Sequence, residues 1–258
     1  MNAYEKWISF YTIVRKDVVR MLRIWPQTFL PALVTSALYF LIFGAFLGSR
    51  IGEVYGVPYI AFVVPGLVML SVVTNAYSNV ATVMFTSKFF ARNIDEILVS
   101  PTPPWLLVAG FVAGGVVRGL ITGVLVLLVA LFFTHLSVFS LLTVTSFLVL
   151  TSIVFSLAGL VNGVYATSID GINIIPTFVL TPLVYLGGVF YSVEALPGIW
   201  STLTQFDPIF YVVNGFRYGF LGVADTSLAL SFSVLVAFSA LFFALAWYLI
   251  RTGLGLRQ

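Results

Sequence analysis

Arg118, in the stretch GGVVRGL, places a guanidinium in the middle of a long apolar run. A cation at that depth costs about 2.5–3.5 kcal/mol on insertion scales. It therefore calls for a contact with an anionic substrate or a gating partner, a buried ion pair, or snorkelling to the inner headgroups. Two polar stripes accompany it. Asn75, Ser78 and Thr82 follow Ser71 at helical spacing, and Ser152 and Ser156 follow Thr145. Such stripes either line a conduit or bond one helix to the next, at about 0.6 kcal/mol per contact. A third group is aromatic. Phe190, Tyr191, Trp200 and Phe210, with Glu194 among them, crowd the last third of the chain as a headgroup belt or an outer gate. A fourth is the stretch KFFARNIDEILVSPTPP, 88–104. It gathers Lys88, Arg92, Asp95 and Glu96 between two apolar runs, in a chain with just 12 Lys and Arg and 9 Asp and Glu.

Other chemistry is missing from the sequence. There is no G-x-x-x-x-G-K-[ST] loop, so ATP is not bound in the P-loop manner. His135 is the sole histidine and there is no cysteine, which leaves little for a metal site or a Ser-His dyad. Paired carboxylates inside apolar runs, expected of a proton-driven carrier, do not occur. No catalytic, cofactor-binding or metal-ligating residue is expected on this chain. A self-sufficient channel or secondary carrier, and a lipid-acting membrane enzyme, are the competing readings that these absences weaken.

The elements that must position these residues follow from composition. The chain is 60% hydrophobic and 8% charged, with a mean hydropathy of +1.11. A soluble domain carries about 25% charged residues. Runs of about 20 apolar residues predict an all-α integral membrane protein with six spans, at 28–48, 59–85, 106–133, 138–164, 172–192 and 226–250. Residues 4–25 alternate with helical period. Tyr4, Trp7, Ile8, Tyr11 and Leu22 lie on one face, and Glu5, Lys16, Arg20 and Arg23 on the other, the pattern of an interfacial amphipathic helix in contact with membrane lipid. Charges run through this segment, so a cleaved signal peptide is not expected. With both termini cytoplasmic, nine Lys and Arg fall inside and two, Arg50 and Arg217, outside. The 88–104 segment is then cytoplasmic. Residues 193–223 are too apolar for a loop and are cut by Pro and Gly, as in re-entrant outer helices. Gly110, Gly114, Gly115, Gly119 and Gly123 permit close helix approach.

Several stretches carry a resemblance: FVVPGLVMLSVVTNAYSNV, ARNIDEILVSPTPP, GGVVRGL, FSLAGLVNGV, PTFVLTPLVYLGGVFYSVEALP and NGFRYGFLG. In this order they resemble the permease subunits of bacterial ABC transporters of the type-2 exporter family, in particular inner-membrane permeases. The resemblance implies a single transmembrane domain over 1–258. It implies a conduit formed by two permease chains, identical or related and expected as a homodimer, and two copies of a separate ABC ATPase that uses ATP and Mg. No nucleic-acid partner is implied. Cargo in this family ranges over polysaccharides, lipids, drugs and peptides. The 88–104 segment matches the family's coupling helix, which docks on the ATPase. Phe90, Ile94, Ile97 and Leu98 would then form an apolar docking face, with Arg92, Asp95 and Glu96 as polar contacts.

Overall fold

A computed structural model describes residues 1–91, 94–193 and 197–256. The chain is helical almost throughout, and six segments are long and apolar enough to cross a bilayer. An amphipathic helix, α1 (Ala3–Arg23), leads into the first span, α2 (Trp25–Phe40), which continues as a π-helical segment, π1 (Leu41–Leu47), and a last turn, α3 (Gly48–Ile51). A two-stranded hairpin follows, β1 (Glu53–Val54) and β2 (Val57–Pro58), joined antiparallel by Tyr55 and Gly56. Both turn residues have positive φ, 55° and 75°. That is the requirement of a type I′ turn, which Gly meets freely and Tyr at a cost.

The second span, α4 (Tyr59–Phe89), is the axis of the bundle, with most of its surface buried. Around it lie α6 (Pro104–Ala130), α7 (Leu141–Tyr165) and α11 (Pro208–Leu221). Their approach is set by glycines. Gly115 and Gly119 of α6 face Ser156 and Ser152 of α7, and Gly123 faces Val72 of α4. Gly159 of α7 rests on the carbonyl of Tyr77, and a Cβ on Gly163 would lie 2.8 Å from the carbonyl oxygen of Ala81. Helix backbones thus touch with no side chain between them, which is how helices associate where lipid is as apolar as the core. In contrast α2 and α12 (Leu228–Thr252) keep most of their surface outside the bundle.

The fifth span begins at Ser168, whose side chain accepts the Gly171 N–H and caps α8 (Ile169–Ile175). Pro176 supplies no N–H, and the helix passes through a π-helical segment, π2 (Pro176–Leu180), before α9 (Thr181–Leu186). The span stops there rather than at 192, because Gly188 turns the chain with φ +73°. Likewise the third span ends at Ala130, not 133, and the first starts at Trp25 rather than 28, with Pro26 in its first turn. Two short helices then fill the stretch predicted to be re-entrant, α10 (Ile199–Gln205) and α11. Asp207 caps α11 by accepting the Ile209 N–H at 2.8 Å.

Gly159→Ala should lower stability, because its methyl would meet the Tyr77 backbone, which no rotamer change relieves. Overpacking of this kind costs about 1–3 kcal/mol. Gly171→Ala, with nothing closer than 3.4 Å, should be near neutral. Melting of the detergent-solubilised variants by size-exclusion chromatography measures the difference. Equal melting temperatures would remove the α4–α7 contact as a determinant of the fold.

Candidate functional site

Arg118 lies at the centre of a polar network in the half of the bundle nearer the 88–104 segment. Its Nη2 donates to Asn75 Oδ1 at 3.1 Å and to the Thr28 carbonyl at 3.4 Å, and its Nη1 donates to Asn79 Oδ1 at 3.3 Å. Asn79 in turn donates to Asp17 Oδ2 at 2.8 Å, and Arg20 donates to Asp17 Oδ1 at 2.6 Å and to Asn79 Oδ1 at 3.1 Å. Four helices, α1, α2, α4 and α6, are joined in one hydrogen-bonded set. Asp17 is 8% exposed and packs on Gly114, where any side chain on α6 would displace it. The sequence reading named Arg118 and Asn75 but not Asp17 or Asn79. Asp17 falls between the oily and charged faces of α1. It marks a third face, with Phe10, Ile13 and Met21, which packs inward. A four-residue step from Asn75 to Asn79 was the available signal.

The two stripes part company here. Ser71, Asn75, Ser78 and Thr82 run along the outward side of α4, with Thr82 exposed. Between Ser71 and Asn75 of that side and α2 lies an open groove of about 440 Å³, lined by Gln27, Thr35, Ser36, Thr74 and Arg118 together with Pro31, Ala32, Tyr39 and Leu70. Ser36 and Ser71 close part of it through a 3.0 Å hydrogen bond. Ser152 and Ser156 line no such space. Both are fully buried against the glycines of α6, and Ser152 donates to the Leu148 carbonyl. Their surroundings are those of side chains packed between two helices.

A second network occupies the other end. Arg217, expected on the outer surface, is 2% exposed. It pairs with Asp225 at 3.5 Å, donates to the Gly188 carbonyl at 2.5 Å, and stacks 3.9 Å from the Phe62 ring centroid. Tyr55 donates to Asp225 at 2.9 Å, which holds the strained hairpin turn over this end of the bundle. Asn214 accepts the Asp225 N–H at 2.7 Å and donates to Ser231 of α12. Of the aromatic residues named from sequence, Phe190 packs against Phe43 at 4.6 Å and Tyr185 at 5.7 Å, and its carbonyl accepts from Tyr59. Tyr191 donates to the carbonyls of Tyr185 and Leu186. Phe210 is buried beside Tyr211, whereas Trp200 is exposed. Glu194 lies outside the described residues. Asp207 is buried with Oδ2 unpartnered by any described residue, and burial pushes its carboxyl up to about 7 against the opposing pull of the Ile209 N–H.

In the 88–104 segment, Ile94–Val99 form a helix, α5. Of the apolar residues expected to dock, Ile94 turns inward, while Ile97 and Leu98 are half-buried. Ile94 is 3% exposed and joins Val80, Met84, Leu107 and Leu256 in the chain's own core, with Ile97 and Leu98 beside it. The short helix needs this anchor because six residues are too few to hold helical shape alone. The outward face instead carries Phe90, 69% exposed, Val99, 87% exposed, and the carboxylates Asp95 and Glu96. Arg92 lies outside the described residues. Lys88 points inward and donates to the Val164 carbonyl at 3.1 Å, in the last turn of α7, where a cation is favoured. Among the described residues no three His, Asp or Glu side chains converge as metal ligands would.

The model of the ABC-2 type transporter family matches residues 8–221. Over 258 residues, the full length of both chains, this chain is 52% identical to the inner membrane transport permease YadH of Escherichia coli (strain K12). It is 25% identical over 245 residues to nodulation protein J of Rhizobium meliloti (strain 1021), covering 95% of this chain and 92% of that one. The nodulation protein J of Rhizobium leguminosarum bv. trifolii is 26% identical over 216 residues, or 84% and 81% of the two chains.

Asp207 generates a prediction with a definite sign. An unfolded Asp titrates near 3.9, so the fold holds the proton more tightly than the unfolded chain does. The stability this confers is complete below about pH 4 and is lost as pH rises through about 7. The purified protein should melt at a higher temperature at pH 5 than at pH 8. Asp207→Asn keeps the helix cap and should narrow that gap. An unchanged gap would place the titrating group elsewhere.

Proposed function

This chain belongs to the ABC-2 type transporter family, and on that premise we propose that it is the permease subunit of an ATP-driven exporter. Two copies form the conduit, and two copies of a separate ABC ATPase bind on the cytoplasmic side and spend ATP with Mg. The chain sits in the bacterial inner membrane with both termini cytoplasmic, α1 lying in the membrane surface and α10–α11 dipping in from the outer side. The full-length likeness to a protein named as an inner membrane transport permease supports the location. The nine-to-two distribution of Lys and Arg supports the orientation. The exposed Tyr4, Trp7, Tyr11 and Leu22 support the surface placement of α1.

The observation that carries this reading is α5. A short helix fixed by Ile94 to the core, with Phe90, Asp95, Glu96 and Val99 left outside, is built to transmit a push. Force on its outer face would pass through Ile94 to the cluster it shares with Val80 and Met84 of α4 and Leu107 of α6. Phe90 and Val99 are the anchors such a partner would bury, and the two carboxylates form the rim. Phe190, Tyr191 and Phe210 serve as the outer gate, and the groove over Arg118 as part of the conduit.

Co-purification with an ABC ATPase from the same cell, followed by ATP turnover, tests the proposal. Phe90→Asp or Val99→Asp should cut ATPase capture by about tenfold or more, since interface anchors are worth about 2 kcal/mol or more. Their level in the membrane should stay normal. Asp95→Ala should have a smaller effect. Ile94→Asp should fail earlier, by lowering the amount of folded protein. Full capture and turnover in both outer-face variants would mean that α5 does not couple to an ATPase.

A further inference from the structure

The Arg118 network has an excess of positive charge in a place where charge is costly. Arg20 and Arg118 are two cations, and Asp17 is the one carboxylate among them. Among the described residues the hydrogen-bond partners of Arg118 are neutral: two Asn side-chain oxygens and a backbone carbonyl. Its Nε–H is buried with no partner among the described residues, and its ion pairs there are none within 4 Å. An intramembrane cation left in this state calls for an anion. The groove between α2 and α4 opens at its side.

The walls of that groove say what kind of anion fits. Beside Arg118 it offers the hydroxyls and amide of Thr35, Ser36, Thr74 and Gln27, suited to a phosphate or carboxylate headgroup, set among the apolar Pro31, Ala32 and Leu70. Just outside it, along the neighbouring face of α2, run Leu30, Val34 and Leu38, followed by Leu41 of π1, all exposed. Groove and apolar row lie side by side, as the two ends of an amphiphile require. On the other side of the network a narrower cleft of about 130 Å³ is bordered by Lys16 and Arg20 of α1, next to Ile97 of α5. Cations therefore continue from the surface helix to the groove.

We propose that the α2–α4 groove binds the anionic headgroup of a membrane amphiphile, with Arg118 as its ligand and the acyl chain along the outer face of α2. This rests on the permease reading for its meaning in transport, but the binding itself belongs to this chain alone. The site takes phosphate-bearing lipids such as phosphatidylglycerol in preference to zwitterionic ones.

The test is native mass spectrometry of the purified full chain with phosphatidylglycerol or phosphatidylethanolamine. One phosphatidylglycerol per chain should be retained with a preference of about tenfold or more, the scale of a charge-assisted contact. Arg118→Gln should abolish the preference. Because that variant also loosens the network, Thr35→Trp provides a second arm. It fills the groove from the exposed side of α2 and touches none of the Arg118 hydrogen bonds. It too should abolish the preference while eluting as a folded protein. In proteoliposomes with the ATPase, ATP-dependent movement of fluorescent phosphatidylglycerol between leaflets identifies the amphiphile as cargo. Binding without movement identifies it as a resident lipid, and either result upholds the site. Equal retention of the two lipids overturns it. So does a preference that survives in both variants, or cross-linking of Thr35→Cys between two copies that excludes lipid. Failure to capture an ATPase bears on the permease reading and leaves these outcomes as they are.

Discussion

Helix backbones in this protein come into direct contact, and the rest of the structure depends on that approach. In hydrocarbon there is no water to drive helices together, so association relies on dispersion and on hydrogen bonds reached at short range. Glycines on α6 and α7 bring both helices onto α4, and side chains that would be too short to bridge an ordinary interface then meet. Asp17 reaches Asn79 because Gly114 offers it no obstruction. Arg118 reaches Asn75 and Asn79 from a helix that lies flush against theirs. A methyl at Gly114 would cost more than packing, since it would separate a buried carboxylate from the cations that justify it.

The broad plan was legible in the sequence because a bilayer imposes length and polarity with little latitude. Six apolar runs gave six helices, and the stretch cut by Pro197, Pro208 and Gly198 gave short ones. The Pro176 disruption was readable from proline chemistry. What a one-dimensional pattern withholds is direction. Ile94, Ile97 and Leu98 share a helical face, and spacing says that they do, but not whether it turns to a partner or to the chain's own core. Likewise Arg217 reads as an outer-loop charge, while its neutralising contacts come from Asp225, Gly188 and Phe62, up to 155 positions away in the chain. Ser152 and Ser156 look like Asn75 and Ser78 until the glycines opposite them are placed.

The two ends of the bundle handle charge differently. At the end that holds the β1–β2 hairpin Arg217 and Asp225 neutralise one another, both nearly sealed from the surface, and Asn214 completes the set. At the other end the cations outnumber the carboxylate, and two clefts leave them approachable. A balanced, closed network resists change because breaking one partner leaves the other buried and unpaired. An unbalanced, open one gains by acquiring a ligand.

On its α4 side the segment that follows α9 is held by the Gly188 carbonyl, which accepts from the paired Arg217, and by the Tyr59 bond to Phe190. On its α2 side Phe190 meets Phe43 and Tyr39 through ring contacts. Such contacts are worth about 0.5–1.5 kcal/mol each, well below the cost of opening a buried ion pair. Phe43 also sits in π1, where the α-helical hydrogen-bond register of the first span is interrupted. The same span forms one wall of the Arg118 groove and has little of its surface committed to the bundle. Separation of α2 from α4 would break the Ser36–Ser71 hydrogen bond, widen the groove and part Phe190 from Phe43 and Tyr39 in a single movement.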